Sequence, residues 1–186
     1  MTRRRFIFDP PDRFVAGTVG EPGQRTFFLQ AREGLRVVSI ALEKAQVAVL
    51  ADRLGQLLGE LQRRGVAPTI EGPPTGEDAG PLDEPLNEAF RAGALTLGWD
   101  GEAERVLVEA RAESEDGETI DPDEDDDEDE DGPDLLRVRM TAAVAQEFVE
   151  RAVRIVASGR PPCPLCGQPL DPIGHICPRR NGHYIN

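Results

Sequence analysis

Residues 35–64 read LRVVSIALEKAQVAVLADRLGQLLGELQRR, and a change of hydrophobic period inside this stretch decides the fold. In residues 35–42 apolar side chains alternate onto both faces, which is typical of a strand that lies inside a sheet. From Glu43 to Arg64 the apolar residues fall at three- and four-residue steps, which predicts an amphipathic helix. Gly65 follows, where helices commonly end on a residue of positive φ.

Two further β-rich runs precede this stretch, Arg13–Gly20 and Thr26–Ala31. The connections at residues 21–24 and 32–34 contain glycine, and the first also contains proline, so both are predicted to be turns. We therefore expect a three-stranded antiparallel meander that leads into the helix.

The same succession of elements recurs further along the chain. Asp100 and Gly101 form a strong turn pair between two apolar runs, 90–99 and 105–112, which predicts a hairpin. A third strand is expected over 135–140. Thr141 then stands where a helix N-cap is wanted, and we expect that helix to end near residue 157.

The predicted fold is therefore α+β. Its antiparallel sheet is built from two strand-strand-strand-helix units, residues 13–65 and 90–158, with the helices packed on the sheet. A small C-terminal zinc knuckle completes it.

Composition divides the chain into an α+β domain, residues 1–158, and a tail, residues 159–186. Within the domain, residues 67–85 are rich in proline and glycine and read as an irregular connector. Residues 113–134 form an acidic insert that is too charged to bury, so it is expected to be a mobile loop between two strands.

The formal net charge of −14 is concentrated in that insert. Residues 121–131 hold ten carboxylates in eleven positions, and without them 25 carboxylates remain against 21 lysine and arginine residues. This remaining balance is ordinary for a globular domain. The acidity is therefore a property of one segment.

Two observations bear on location. No apolar run approaches the roughly 20 residues that a membrane helix needs, and the basic start of the chain lacks an apolar run of signal-peptide length. We expect a cytoplasmic protein that has no membrane partner. Its three cysteines, an odd number inside residues 163–177, then indicate a metal site and not a disulfide framework.

The cysteine spacing predicts that metal. Cys163 and Cys166 are separated by two residues, so both thiolates can reach one cation while backbone amides donate to the sulfurs, and Cys177 supplies a third thiolate. The fourth ligand is either His175 or His183. Four such ligands form a closed tetrahedral site, so the expected cofactor is a structural Zn²⁺ that holds the tail in shape.

The two ends of the chain resemble a known family. The resemblance rests on residues 9–20 (DPPDRFVAGTVG), residues 23–31 (GQRTFFLQA) and the ending from GRPPCPLCG at residues 159–167 to Asn181-Gly182. These segments are similar to the bacterial domain-of-unknown-function family number 3090. The resemblance implies a protein with no assigned activity, and it favours His175 over His183 as the fourth ligand.

The function expected from these observations is a non-catalytic binding or adaptor module that docks a protein partner. The alternative is a nucleic-acid-associated zinc-ribbon protein using Arg179, Arg180 and the basic residues 3–5, but the net charge of −14 disfavours a phosphate partner. An enzyme of unknown reaction is the second alternative. Serine occurs at only three positions and both histidines lie in the tail, so no catalytic residue is nominated.

Overall fold

A computed structural model of the chain describes residues 3–21, 23–66, 78, 80–113, 132–159 and 163–166. Within these residues lie seven strands and two helices. In chain order they are β1 (Arg5–Phe8), β2 (Arg13–Val19), β3 (Thr26–Glu33), β4 (Arg36–Leu42), α1 (Lys44–Arg63), β5 (Glu88–Asp100), β6 (Arg105–Ala112), β7 (Leu135–Met140) and α2 (Ala142–Ala157). The prediction that three strands followed by a helix occur twice along the chain is confirmed, as β2-β3-β4-α1 and β5-β6-β7-α2.

The seven strands form one sheet in the order β1-β7-β6-β5-β4-β3-β2. Each predicted meander is antiparallel, but β4 pairs with β5 in parallel and β1 pairs with β7 in parallel. The prediction of a purely antiparallel sheet is therefore wrong, because the sheet is mixed.

Connectivity explains both parallel pairs. The chain passes from β4 to β5 by way of α1, and a crossover of this kind returns it to the sheet in the same direction. Strand β1 is only four residues long, and its partner lies 130 residues further on, with Arg5 opposite Leu135. No local turn signal in the sequence therefore predicts this pairing.

Local chemistry fixes the helix starts close to the predicted positions. The Thr141 hydroxyl accepts a hydrogen bond from the Val144 amide at 3.4 Å, which confirms the predicted N-cap of α2. At the start of α1 the side chain of Gln46 accepts from the Glu43 amide at 2.8 Å. Helix α1 ends as expected before Gly65, whose φ is 65°.

Both helices pack on one face of the sheet and contribute to one hydrophobic core. Phe148 of α2 stacks on Phe14 of β2 with ring centroids 4.8 Å apart, and both side chains are buried. Strand β4 lies between β3 and β5 with both faces largely covered, as its two-sided apolarity predicts. Neither described helix has the length and apolarity that a membrane crossing requires.

Strand β5 is longer than its neighbour β4. The two strands pair only at Ser39 with Glu88 and at Ala41 with Arg91, and β4 ends at Leu42. Residues 93–100 of β5 continue beyond that point, paired with β6 on one side. On the other side, no strand among the described residues pairs with them.

The domain boundaries stay predictions, because much of each predicted special segment lies outside the described residues. This applies to residues 67–77 and 79 of the connector, 114–131 of the acidic insert, and most of the tail. The end of the connector, residues 80–85, is described, and together with Leu86 it forms part of the candidate site.

Candidate functional site

Residues 80–86, called the strap below, cross the sheet face opposite the helices. That face carries Gln30 and Ser39, while their neighbours Leu29 and Ile40 point into the helix-covered core. The Gln30 side chain is buried and binds both backbone polar groups of Asp83 in the strap. Its Nε2 donates to the Asp83 carbonyl at 3.0 Å, and its Oε1 accepts from the Asp83 amide at 2.7 Å. The strap is thus fixed much as a sheet strand would be.

Arg13 of β2 holds the strap through its guanidinium group. Its Nη1 donates to the Asp83 carboxylate at 2.8 Å, and its Nη2 donates to the Pro81 carbonyl at 2.8 Å. The same group pairs bidentately with Asp78, through Nε and through Nη2 at 2.9 Å. Since fork-like pairs of this type are both stronger and more directional than single contacts, Arg13 sets the position of Asp78 as well as that of the strap.

Arg151 of α2 contacts the Asp78 carboxylate at the edge of the sheet that β2 forms. Its Nε donates to the Ala16 carbonyl of β2 at 2.7 Å, and its Nη2 donates to the Gly80 carbonyl at 2.8 Å. Its Nη1 contacts Asp78 at both the backbone oxygen and Oδ1. Because β2 is an edge strand of the sheet, the Arg151 side chain connects the sheet edge, helix α2 and the start of the strap.

The electrostatics follow from this crowding of charge. Hydrogen bonds from Arg13 hold the pKa of Asp78 below its usual value near 3.8; partial burial opposes the shift, and the charges of Arg13 and Arg151 add to it. Donation of hydrogen bonds to Asp78 raises the pKa of Arg13, while burial lowers the pKa of Arg151. Arginine remains protonated at neutral pH in either case. The cluster therefore holds a carboxylate between two cations.

This arrangement predicts an acid-sensitive contribution of Asp78 to stability. Because its pKa is lower in the folded state, the contribution is complete above the unfolded value near 3.8 and is lost as pH falls through the folded value. Urea unfolding between pH 7 and pH 2.5 should show Asp78→Asn less stable than the wild type at neutral pH. The difference should shrink below about pH 4.

Asp52→Asn is the control for that experiment, since Asp52 is an exposed carboxylate of α1 with a neutral partner, Gln56. Its difference from the wild type should stay small across the range. A gap between the wild type and Asp78→Asn that is constant down to pH 2.5 would contradict the assignment.

A cavity of about 290 Å³ lies beside the strap, next to Arg151. Its walls come from the end of β2, from the strap and from α2, and its lining residues are Gly17, Thr18, Val19, Pro81, Leu82, Glu84, Leu86, Arg151 and Ile155. Gly17 and Leu82 are in close contact, because a Cβ at position 17 would lie 2.5 Å from atoms of the Leu82 side chain. The strap therefore packs directly on the backbone of β2.

The structure describes two of the predicted metal ligands, Cys163 and Cys166. Cys163 is buried, and its Sγ accepts a hydrogen bond from the Leu165 amide at 3.4 Å. His175, Cys177 and His183 lie outside the described residues. Among the residues that are described, no group of three or more histidine, cysteine or acidic side chains is placed to hold a metal ion.

The basic residues near the start of the chain take part in the fold. The Arg4 guanidinium binds the Asp134 carboxylate at 2.8 Å and donates to the Ala89 carbonyl at 2.6 Å, which ties the start of β1 to β7 and β5. Arg3 is buried. Arg179 and Arg180 lie outside the described residues.

Sequence reasoning missed the residues that hold the strap. One signal was present, because Arg151 stands three residues after Phe148 and next to Ala152 in the apolar stripe of α2. A charged residue in such a stripe indicates a buried, paired side chain. Its partner Asp78 is 73 residues away, in a segment with no hydrophobic period, and no local pattern points to it.

A family model described as "Protein of unknown function (DUF3090)" matches residues 6–177. The chain belongs to this family. Its match begins in β1 and ends at Cys177, so it spans the sheet, both helices, the strap and all three cysteines. No curated protein and no solved structure matches the chain. The resemblance inferred from the two ends of the sequence is confirmed, and the family adds no activity to it.

Proposed function

We propose that this DUF3090 protein is a non-catalytic binding module whose tail is shaped by a structural zinc ion. The ligands are Cys163, Cys166, His175 and Cys177, with His183 as the alternative to His175. Zinc bound in this way supplies folding energy and takes no part in a reaction.

The observation that carries the metal assignment is the turn at Cys163. The Leu165 amide lies two residues beyond the sulfur and donates to it at 3.4 Å, and the sulfur itself is buried. An amide aimed at a sulfur favours the thiolate, which is the form that binds a metal. Cys166 stands in the same turn, one residue after that amide. These two residues fit one half of a tetrahedral thiolate site.

The limits of the family match support the choice of histidine. The match ends at Cys177, so it includes Cys163, Cys166, His175 and Cys177. It leaves His183 outside. A ligand set drawn from the matched range would therefore use His175 and not His183.

The strap cluster supports a structural role for the most conspicuous charged side chains. Both oxygens of the Asp78 carboxylate accept from arginine, and the Asp83 carboxylate accepts from Arg13 at 2.8 Å. A general base must have a free lone pair and a pKa close to the working pH. Asp78 has a depressed pKa and is fully paired, so it acts as an anchor for the strap.

The cavity beside the strap supports protein binding. Its volume of about 290 Å³ is at the lower limit of small-molecule pockets, and its walls are mainly aliphatic, with Val19, Leu82 and Ile155 among them. Val19 is half exposed at its mouth. A site of this size and chemistry suits an apolar side chain presented by a partner.

Affinity capture read by native mass spectrometry tests the proposal, because it reports zinc and partner together. We expect one zinc ion per chain and a captured protein that Val19→Arg, at the cavity mouth, no longer retains. Leu35→Arg is the matched control, since Leu35 is a fully exposed leucine in the turn before β4. Metal-free protein from zinc-replete cells would contradict the zinc site. A captured set that Val19→Arg leaves unchanged would contradict the binding site.

A further inference from the structure

The part of β5 that extends beyond β4 presents an open backbone edge. Residues 93–100 pair with β6 through a regular antiparallel ladder from Ala94 to Asp100. On the opposite side, the Gln46 side chain of α1 donates to the Ala92 carbonyl at 2.9 Å. Beyond it, the outward amides and carbonyls of about seven residues have no strand partner among the described residues.

The sequence of this edge lacks the charged residues and the proline that usually protect an open strand. Natural sheets protect an edge with charged residues, proline or bulges, because an open strand otherwise pairs with another chain. Residues 93–99 read GALTLGW and contain neither a charge nor a proline. The one irregularity in the ladder lies at the start of the segment, between Ala92 and Ala94. The remainder, residues 94–99, is regularly paired with β6 and carries no charge.

We propose that two copies of this chain join through this edge, β5 against β5, in an antiparallel pair centred on Leu97. A twofold axis at Leu97 places Leu97 opposite its counterpart and Leu95 opposite the Trp99 of the second copy. Antiparallel partners share a face of the sheet, and Leu95, Leu97 and Trp99 all pack on the helix side. The register thus pairs apolar with apolar side chains three times.

The same register avoids charge repulsion. Asp100 falls opposite Ala94, so the two copies of Asp100 are separated by several residues along the strands. Thr96 falls opposite Gly98, which leaves room on the other face. Like charges facing one another across strands are destabilising, and this pairing contains no such contact between residues 94 and 100.

A groove beside the edge has space for the second strand. It has a volume of about 620 Å³ and lies between Leu97 and the second half of α1, whose lining residues are Arg53, Gln56, Leu57, Gly59, Glu60 and Arg63. A Cβ added at Gly59 would meet no atom within 4 Å, so the helix surface over the groove is open. The side chains of the second copy would enter this space and cover Leu57 and Leu97.

Charge exchange at position 97 tests the pairing. Light scattering on the full-length chain should give a dimer for the wild type, and monomers for Leu97→Glu and for Leu97→Lys separately, with association weakened at least about tenfold. A mixture of the two variants should form a heterodimer, because residue 97 faces residue 97. Val49→Glu, which places the same charge on an exposed site of α1, should remain dimeric.

Hydrogen exchange of the wild type tests the edge without a substitution. Amides in residues 93–100 should become more protected as protein concentration is raised through the dimer range, while those of β2 stay unchanged. A wild type that remains monomeric at high concentration overturns the proposal. A dimer that survives both Leu97 substitutions, or protection that does not depend on concentration, also overturns it.

Discussion

Serine in place of both Cys163 and Cys166 is expected to abolish zinc binding, from one ion per chain to none. A serine hydroxyl does not ionise near neutral pH, so the substitution removes two of the four predicted zinc ligands. Structural zinc sites contribute on the order of 10 kcal/mol of binding free energy, and the loss of two ligands should leave no measurable occupancy. Native mass spectrometry and elemental analysis measure this directly.

The same variant should keep the α+β domain folded, because the sheet and helices have their own core. Circular dichroism and the fluorescence of Trp99, the single tryptophan, should match the wild type. His175→Ala and His183→Ala form the matched pair for the fourth ligand, and the first should lose zinc while the second retains it. The reverse result would assign His183. A domain that unfolds with the double serine variant would show that the tail is part of the core.

Arg151→Met is expected to lower the free energy of unfolding by about 3 kcal/mol, since breaking a buried charge pair from one side costs about 3–5 kcal/mol. Methionine retains the apolar stem but donates no hydrogen bond. The carbonyls of Ala16 and Gly80 then lose the donors that lie 2.7 and 2.8 Å away, and Asp78 keeps only Arg13 and the Gly80 amide as donors. Urea unfolding followed by Trp99 fluorescence measures the loss.

Arg64→Met provides the control, because Arg64 forms an exposed ion pair with Glu60 one helical turn away. Exposed pairs of this kind contribute about 0.5 kcal/mol or less, so this variant should be nearly as stable as the wild type. Arg151→Lys should recover only part of the loss, since an ammonium group cannot bind the three carbonyls as a planar fork does. Equal stability of the Arg151 and Arg64 variants would show that the buried cluster contributes nothing to holding the strap.

Most of the fold could be predicted from the sequence, because periodicity and turn chemistry are local signals. The helix after β4 followed from one change of period, and the hairpin between β5 and β6 from the pair Asp100-Gly101. The two parallel contacts could not be predicted in this way. They depend on a crossover and on the distant pairing of Arg5 with Leu135, and neither leaves a trace in a short window of sequence.

The candidate site was predictable to a smaller degree. Cysteine spacing predicts metal ligands because zinc requires a fixed geometry from few residues, and two of the predicted ligands, Cys163 and Cys166, lie in a turn where the Leu165 amide donates to the Cys163 sulfur. The strap cluster joins Arg13, Asp78 and Arg151 from three separate parts of the chain. Arginine and aspartate are common everywhere in this sequence, so their type alone does not indicate which of them meet.

The position of β1 has a consequence for biosynthesis. Its strand neighbour in the sheet is β7, and the paired residues are 130 positions apart. At about 5–20 residues per second, a ribosome takes on the order of ten seconds to make the chain between them. During that interval the nascent segment that includes Phe6 and Phe8 lacks its partner strand, β7. Strand β1 can therefore join the sheet only late in translation, after β7 has been made.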